Sequence, residues 1–174
     1  LFPLINAPVA GAGRIIAVDI ASDKLGLARQ LGATDTFNAT DPNCTEKIIE
    51  ETKGGVEYAF EVAGVVEAMQ TAYAITRRGG TTVTSGLSQH QHTFEIPHSQ
   101  LVVDERTIKG SYMGSCVVRN DVPKFINLYK QGKLPVDKLR SGNICLNDLN
   151  QGFDKLAAGD VIRQMLVMHD EFST

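Results

Sequence analysis

The sequence predicts an α/β fold with a doubly wound parallel sheet, and three observations support that prediction. Short β-branched runs alternate with helix-patterned segments from Arg14 onward, most of the helical segments end at a glycine, and the connections are short. Alternation at this spacing is typical of βαβ units, which require a parallel sheet and right-handed crossovers. The 174 residues, 43% hydrophobic and 21% charged, have the composition of one globular domain.

The first predicted unit begins at residues 15–18, an apolar run typical of a strand buried on both faces, and this run ends at Asp19. Ser22 is positioned to cap a helix that runs to about Leu31, where Gly32 supplies a left-handed stop. The unit then repeats. Further strands are predicted at residues 34–37, 56–60 and 81–84, and further helices from residue 41 to the Gly54-Gly55 pair and over 66–77.

Beyond residue 84 the alternation loosens but continues to the end of the chain. A polar loop at 88–92 precedes a strand at 106–113, an amphipathic helix at 117–131, a helix at 147–158 and a final strand at 161–168. Residues 1–8 fit no predicted unit, although Leu4 and Ile5 could form a short strand. Residues 9–174 are predicted to form a single domain.

Charge and cysteine content exclude several classes of protein. The net charge is −3 and the isoelectric point about 5.8, so no basic surface for nucleic acid or anionic membrane is expected. Cys44, Cys116 and Cys145 are widely spaced without a C-x-x-C pair, which matches neither a disulfide framework nor a zinc knuckle. No signal peptide or membrane span is recognisable, and a cytoplasmic location is predicted.

Three histidines are the other candidate metal ligands. His90 and His92 form a His-x-His pair, with His98 nearby, and such a pair on one strand can bind zinc. Here the pair lies in a glutamine-rich polar stretch without a neighbouring cysteine or carboxylate pair. The sequence therefore predicts a solvated loop and no metal site.

Asp19 is the sharpest candidate for ligand binding. In open α/β sheets, ligands bind outside the carboxyl ends of the strands, where an acid accepts hydrogen bonds from the hydroxyls of an adenosine ribose. Its charge would repel a 2′-phosphate, which favours NAD over NADP. Asp19 could instead cap the next helix, and from this residue alone both interpretations stay open. Lys24 could reach the same ribose or be a solvated surface lysine.

The glycine-rich turn that normally accompanies such an acid is missing. A G-x-G-x-x-G turn should precede it by about 20 residues and hold the pyrophosphate at a helix N-terminus. Only Gly11 and Gly13 are present, too close to Asp19 for an intervening helix. They are predicted to form the turn into the first strand, without a role in binding pyrophosphate.

Five blocks of the sequence nevertheless carry a resemblance: GAGRIIAVD at 11–19, Asp23-Lys24, LGAT at 31–34, GVEYAFEVAG at 55–64, and the ending from Gly152-Phe153 to Arg163. Together they resemble the zinc-containing medium-chain alcohol dehydrogenases, and within that family the class III, glutathione-dependent formaldehyde dehydrogenase type. The resemblance covers about residues 9–168. It implies a Rossmann-like, NAD-binding domain whose first strand and pyrophosphate-binding turn are missing from this chain.

The resemblance also implies which residues contact NAD. Asp19 and Lys24 match ribose-binding positions, Ile20 matches a residue beside the adenine, and Arg163 matches an arginine aimed at the pyrophosphate, which its planar fork suits well. The remaining matched positions are expected to line the nicotinamide end of the cleft: Val62, Ala63, Gly64, Ser85, Gly86, Leu87, Tyr112 and Met113.

The family's zinc ligands and proton-relay groups belong to a catalytic domain that this chain does not match, so zinc is expected only in the intact enzyme, bound outside this chain. A homodimer through edge strands at about 93–113 is expected by resemblance. Two other hypotheses stay open. One is a truncated, non-catalytic nucleotide-binding module with weak or no NAD affinity. The other is part of a zinc-free quinone or enoyl reductase, which usually prefers NADPH, and Asp19 argues against it.

Overall fold

A computed structural model describes residues 2–168 of the chain. Its helices are α1 Phe2–Asn6, α2 Ser22–Gln30, α3 Cys44–Glu51, α4 Val66–Ile75, α5 His98–Val103, α6 Val118–Lys130 and α7 Leu149–Ala158. Its strands are β1 Ile16–Asp19, β2 Asp35–Asn38, β3 Val56–Glu61, β4 Thr76–Thr84, β5 Thr107–Gly110, β6 Gly142–Cys145 and β7 Gln164–Val167. Short 3-10 turns are Tyr112–Ser115, Val136–Leu139 and Leu146–Asp148. The predicted domain runs to residue 174, and residues 169–174 lie outside the described part.

All strand pairs in the described residues are parallel, which confirms the predicted α/β fold. The strands form three hydrogen-bonded groups, β1–β2, β3–β4–β5 and β6–β7. Within this part of the chain β1 pairs only with β2, and β3 pairs only with β4, so no hydrogen bonds join the first two groups. They are held together by side-chain packing.

That packing forms the first of two apolar clusters. Helices α3 and α4 contribute its fully buried centre, Ile48, together with the buried Ile75, and β1 contributes Ile16 and Val18. Ala59 of β3 is buried in the same cluster. Burial of one large aliphatic side chain such as Ile48 contributes about 1.5–3 kcal/mol. One face of β1 and β3 is thereby covered by α3 and α4.

The second cluster explains the start of the chain. Ile5 is 2% exposed and packs with Leu31, Leu134 and Leu139. The predicted strand at Leu4 and Ile5 is wrong, because residues 2–6 form helix α1, with Pro3 in the first turn, where a missing N–H costs nothing. The contacts that select a helix here come from more than 100 residues away, at Leu134 and Leu139.

Strand β4 begins earlier than predicted. Helix α4 ends at Ile75, because Thr76 is already paired with β3 and its hydroxyl contacts Thr82 at 2.8 Å. The helix predicted over 66–77 is therefore wrong at its C-terminal end, where Arg77 and Arg78 belong to β4. Arg77 pairs with a carboxylate of β3 and Arg78 with one that follows α5, at 3.3 and 3.6 Å.

The N-terminal end of β1 is tied to its neighbours by Arg14. Its guanidinium donates to both carboxylate oxygens of Asp35, at 2.8 and 2.9 Å, and to the carbonyl and carboxylate of Glu51 at the end of α3. The hydrogen bonds from Arg14, with a further one from Thr34, lower the pKa of Asp35 to about 2. The ion pair joins β1, β2 and α3 in one network.

This ion pair predicts a pH dependence of stability. A carboxyl whose pKa is lower in the folded state stabilises the fold above its unfolded pKa of about 3.9 and loses that contribution as pH falls toward 2. We therefore expect Asp35→Asn to lower the melting temperature at pH 7 and the difference from the wild type to vanish between about pH 5 and pH 2. Thermal denaturation at several pH values across this range measures the difference in melting temperature between Asp35→Asn and the wild type. Glu50→Gln, at an exposed acid of α3, is the control and should change little at any pH. A melting-temperature difference between Asp35→Asn and the wild type that stays the same from pH 7 to pH 2 would contradict the prediction.

Candidate functional site

The loops that follow β3, β4 and β5 lie side by side. The pairing of these strands continues one residue beyond their ends, because the Ser85 amide donates to the Glu61 carbonyl at 2.9 Å and the Ser111 amide donates to the Thr84 carbonyl at 2.8 Å. The carboxyl ends of three parallel strands are thus aligned at one edge. The segments that the family resemblance assigns to the nicotinamide end of the cofactor follow these ends within two residues: 62–64, 85–87 and 112–113.

The first two of these loops touch through their glycines. A Cβ atom on Gly86 would lie 2.2 Å from the Gly64 nitrogen, and a Cβ on Gly64 would lie 2.7 Å from the Leu87 carbonyl oxygen. Gly64 also has a φ of +74°, which L side chains rarely adopt. Both positions therefore require glycine, one for close approach and the other for close approach and backbone conformation.

Glu61, the last residue of β3, lies next to the contact between Gly64 and Gly86. Its side chain is buried, and the residue is only 4% exposed. One carboxylate oxygen accepts a hydrogen bond from the Gly64 amide at 2.6 Å, and the other accepts one from the Thr84 hydroxyl at 2.8 Å. The sequence analysis missed this residue. Its local pattern gave no signal, because Glu61 shares a face with Glu57 and Ala59, opposite the apolar Val56, Tyr58 and Phe60, and that pattern predicts a solvent-facing acid.

Apolar side chains around the strand ends are unusually exposed. Leu87 is 81% exposed, Tyr112 74%, Ile20 71%, Met113 69% and Val62 49%. Tyr112 and Met113 were predicted to end a strand, which is wrong: β5 ends at Gly110, and both residues lie in a 3-10 turn in which Met113 has a φ of +48°. Exposed apolar side chains at aligned strand ends are typical of a ligand-binding surface.

Asp19 ends β1, as predicted. One of its oxygens accepts a hydrogen bond from the Ala21 amide at 2.9 Å, and the other makes no hydrogen bond within the described residues. Ala21, not Ser22, is the N-cap of α2, and no side chain caps this helix, so the predicted Ser22 cap is wrong. Asp19 stabilises the turn into α2 and keeps one oxygen available to a ligand.

The remaining candidates lie apart from the three loops. The Lys24 ammonium points toward Gly159 at the C-terminus of α7, 3.2 Å from where a Cβ on that glycine would be. Arg163 is exposed and lies one residue before β7, where its backbone pairs with Ser141. No ion pair joins Lys24 to Asp19 in the described structure. The loops after β3, β4 and β5 form one surface, and Asp19 and Ile20, at the end of β1, lie on a second.

The described residues do not fit a zinc ion. Between residues 2 and 168, no three His, Cys, Asp or Glu side chains come together as metal ligands. Burial raises the pKa of the Cys44 thiol, and desolvation raises that of Cys116, which opposes the thiolate form that zinc requires.

No helix within residues 2–168 is long and apolar enough to cross a membrane.

A pocket of about 150 Å³ opens behind the Gly64 and Gly86 loops. Its lining includes Glu61, Met69, His92 and Phe94. His92 therefore lies near the loops, but within the described residues it belongs to no group of three metal-ligating side chains. Gly11 and Gly13 lie between α1 and β1, consistent with the turn that the sequence predicts.

Parallel strands joined by helices, with exposed candidate residues at aligned strand ends, define a Rossmann-like α/β domain. Residues 4–131 match the family model described as zinc-binding dehydrogenase, and the chain belongs to that family. It is 35% identical over 168 residues to alcohol dehydrogenase class-3 of Pisum sativum, covering 95% of this chain and 44% of that protein. Other alcohol dehydrogenases match at 31% to 36%, so these identities do not single out class III.

Solved structures agree with this assignment. Benzyl alcohol dehydrogenase from Acinetobacter calcoaceticus superimposes with a TM-score of 0.91 at 31% identity, over 95% of this chain and 46% of that one. A Sinorhizobium meliloti protein solved bound to NADP shares the fold, with a TM-score of 0.85 at 24% identity over 95% of this chain and 48% of that one. The chain thus spans about half the length of the relatives it matches.

Proposed function

We propose that this chain is the NAD-binding portion of a zinc-dependent alcohol dehydrogenase, which oxidises an alcohol to an aldehyde or ketone by hydride transfer to NAD. The observation that carries the proposal is Asp19, at the end of β1 with one oxygen unpaired, in a chain that matches alcohol dehydrogenases over 95% of its length. Because alcohol dehydrogenases of several classes match at similar identity, the proposal names no particular alcohol or aldehyde.

Each surface has a separate task in this proposal. Asp19 accepts hydrogen bonds from the adenosine ribose, Ile20 packs on the adenine, and Lys24 turns from Gly159 to the ribose. Arg163 pairs with the pyrophosphate. The exposed residues of the other surface bind the nicotinamide end: Val62, Ala63, Gly64, Ser85, Gly86, Leu87, Tyr112 and Met113.

The chemistry of the proposed reaction is divided between this chain and groups outside it. When bound, NAD supplies the nicotinamide ring that accepts a hydride. This chain orients that ring and shields it with apolar side chains, since four large apolar candidates at the nicotinamide end are exposed: Val62, Leu87, Tyr112 and Met113. Because the described residues do not fit zinc, the proposal assigns the metal and the proton relay to residues outside this chain.

The alternative is a non-catalytic nucleotide-binding module with weak or no NAD affinity. The missing G-x-G-x-x-G turn favours it, because that turn supplies backbone donors to the pyrophosphate. Calorimetric titration of the 174-residue chain with NAD, NADP and ADP-ribose distinguishes the dehydrogenase portion from the non-catalytic module. Saturable binding with NAD preferred over NADP supports the dehydrogenase portion. Absence of heat with all three ligands supports the alternative.

We expect the protein to form a homodimer through the edge of its central strand group. Within the described residues β5 pairs only with β4, and the preceding helix α5 exposes Val102 and Val103 by 63% each. An open strand edge is suited to pairing with a second copy, and the exposed valines precede this strand in the sequence. Sedimentation equilibrium should give a dimer, and Val103→Asp should shift it to monomer. Leu146→Asp, at another exposed apolar residue, is the control. A monomer at high wild-type concentration would contradict the expectation.

A further inference from the structure

We infer that Glu61 is a positioning residue, whose carboxylate holds the loops after β3 and β4 in the arrangement that receives the nicotinamide end of the dinucleotide. The inference deepens the proposed function and rests on it for the identity of the ligand. Its structural part, that Glu61 positions both loops, stands on contacts within this chain.

Burial and hydrogen bonding set Glu61 apart from Glu57, the other acid of β3. It is 4% exposed, whereas Glu57 on the same strand has a side chain 64% exposed and pairs with Arg77. No lysine, arginine or histidine lies within ion-pair distance of Glu61 in the described structure. Burying a carboxylate is costly unless hydrogen bonds compensate it, so both of its bonds are needed to hold it there.

Both bonds lead to the loops. The Gly64 amide belongs to the loop after β3, and the Thr84 hydroxyl belongs to the last residue of β4, directly before Ser85. The same carboxylate oxygen that accepts from Gly64 would lie 2.8 Å from a Cβ on Gly86, so it also contacts the second loop from below. One side chain thus bridges the two strand ends where Gly64 and Gly86 meet.

The hydrogen bond to Glu61 explains why the backbone of Gly64 keeps one conformation, although a glycine can adopt many. Gly64 has a left-handed φ of +74°, and glycine without a side chain samples many alternatives. The bond from its amide to Glu61 selects one of them. Since Val62 and Leu87 flank this contact and are 49% and 81% exposed, fixing the loops also fixes the apolar surface they present.

Hydrogen exchange tests the positioning without any cofactor. Glu61→Ala should speed exchange of the Gly64 and Ser85 amides by at least about tenfold, because loss of a hydrogen bond to a charged group is worth roughly that factor. Glu61→Gln should restore most of the protection, since its oxygen can accept from Gly64 and its amide can donate to Thr84. Glu57→Ala is the matched control and should leave both amides unchanged. Unchanged exchange in Glu61→Ala, or no recovery in Glu61→Gln, would overturn the inference.

Thr84→Val keeps the test valid if Glu61→Ala does not fold. It replaces a hydroxyl by a methyl group of similar size and removes one of the two bonds to the carboxylate. Faster exchange at Ser85 and Gly64, with the Thr82 amide in mid-strand unchanged, is the expected result. Protection equal to that of the wild type would overturn the bridging role.

Ligand titration then tests the link to the nicotinamide end. Glu61→Ala should weaken NAD binding by about tenfold and leave ADP-ribose, which lacks the nicotinamide, within twofold of the wild type. Equal losses for both ligands, or none for either, would overturn the link. If the wild-type chain bound neither ligand, the proposed function would fail, whereas the exchange result would still decide whether Glu61 positions the loops.

Discussion

Replacing Gly86 by alanine is expected to lower the free energy of unfolding by about 2–3 kcal/mol. The new methyl group would lie 2.2 Å from the Gly64 nitrogen, 2.6 Å from its Cα and 2.8 Å from a Glu61 carboxylate oxygen. Two of these atoms are backbone and the third is buried, so none can move aside cheaply. The loops must separate, which breaks the bond between Gly64 and Glu61.

Urea denaturation measures this loss. Gly110→Ala is the matched control, because Gly110 ends the adjacent strand β5, has no left-handed φ, and offers a Cβ open space with no atom within 4 Å. It should change the unfolding free energy by less than about 1 kcal/mol. Wild-type stability in Gly86→Ala would show that the close approach of the two loops does not occur.

Replacing Asp19 by alanine is expected to weaken NAD binding by about 10- to 100-fold. The estimate follows from the loss of hydrogen bonds between a carboxylate and two ribose hydroxyls, worth about 1.5–3 kcal/mol. It should also narrow the preference for NAD over NADP, because the charge that repels a 2′-phosphate is removed. Calorimetry with both cofactors measures the two effects.

Two further variants separate the ligand role of Asp19 from its structural one. Asp19→Asn retains an oxygen for the Ala21 amide and so preserves the turn into α2, while removing the charge. It should fold normally and accept NADP better than the wild type does. Asp23→Ala, at an exposed acid in the first turn of α2, should leave both affinities unchanged. An NAD affinity unaltered in Asp19→Ala would remove Asp19 from the site.

Local patterns were sufficient wherever a residue's neighbours in sequence decide its conformation. Helix α6 was predicted at 117–131 and lies at Val118–Lys130, since a stripe of apolar residues at helical spacing is a local property. The position of Asp19 at the end of β1 followed from one apolar run. Strand β6 and helix α5 were missed, because four to six residues without clear periodicity carry too little local signal.

Elements whose conformation depends on distant contacts were placed wrongly or not at all. Thr76 lies within the helix predicted over 66–77, yet it pairs with β3 and contacts Thr82, so helix α4 stops before it. Met113 was predicted to end a strand but lies beyond the end of β5, with a positive φ. For Thr76 the outcome was set by pairing with a neighbouring strand, which no periodicity encodes.

The sequence by itself determined the parallel α/β fold, the acid at the end of β1, and the family, because strand and helix periodicities and short motifs are written in consecutive residues. Only the tertiary structure decided that residues 2–6 form a helix, that Gly64 and Gly86 touch, and that Glu61 joins their loops from beneath. The physical reason is that burial and hydrogen bonding of these residues depend on partners from other strands and helices. A carboxylate in a strand has the same local pattern whether it faces solvent, as Glu57 does, or bridges two buried strand ends, as Glu61 does.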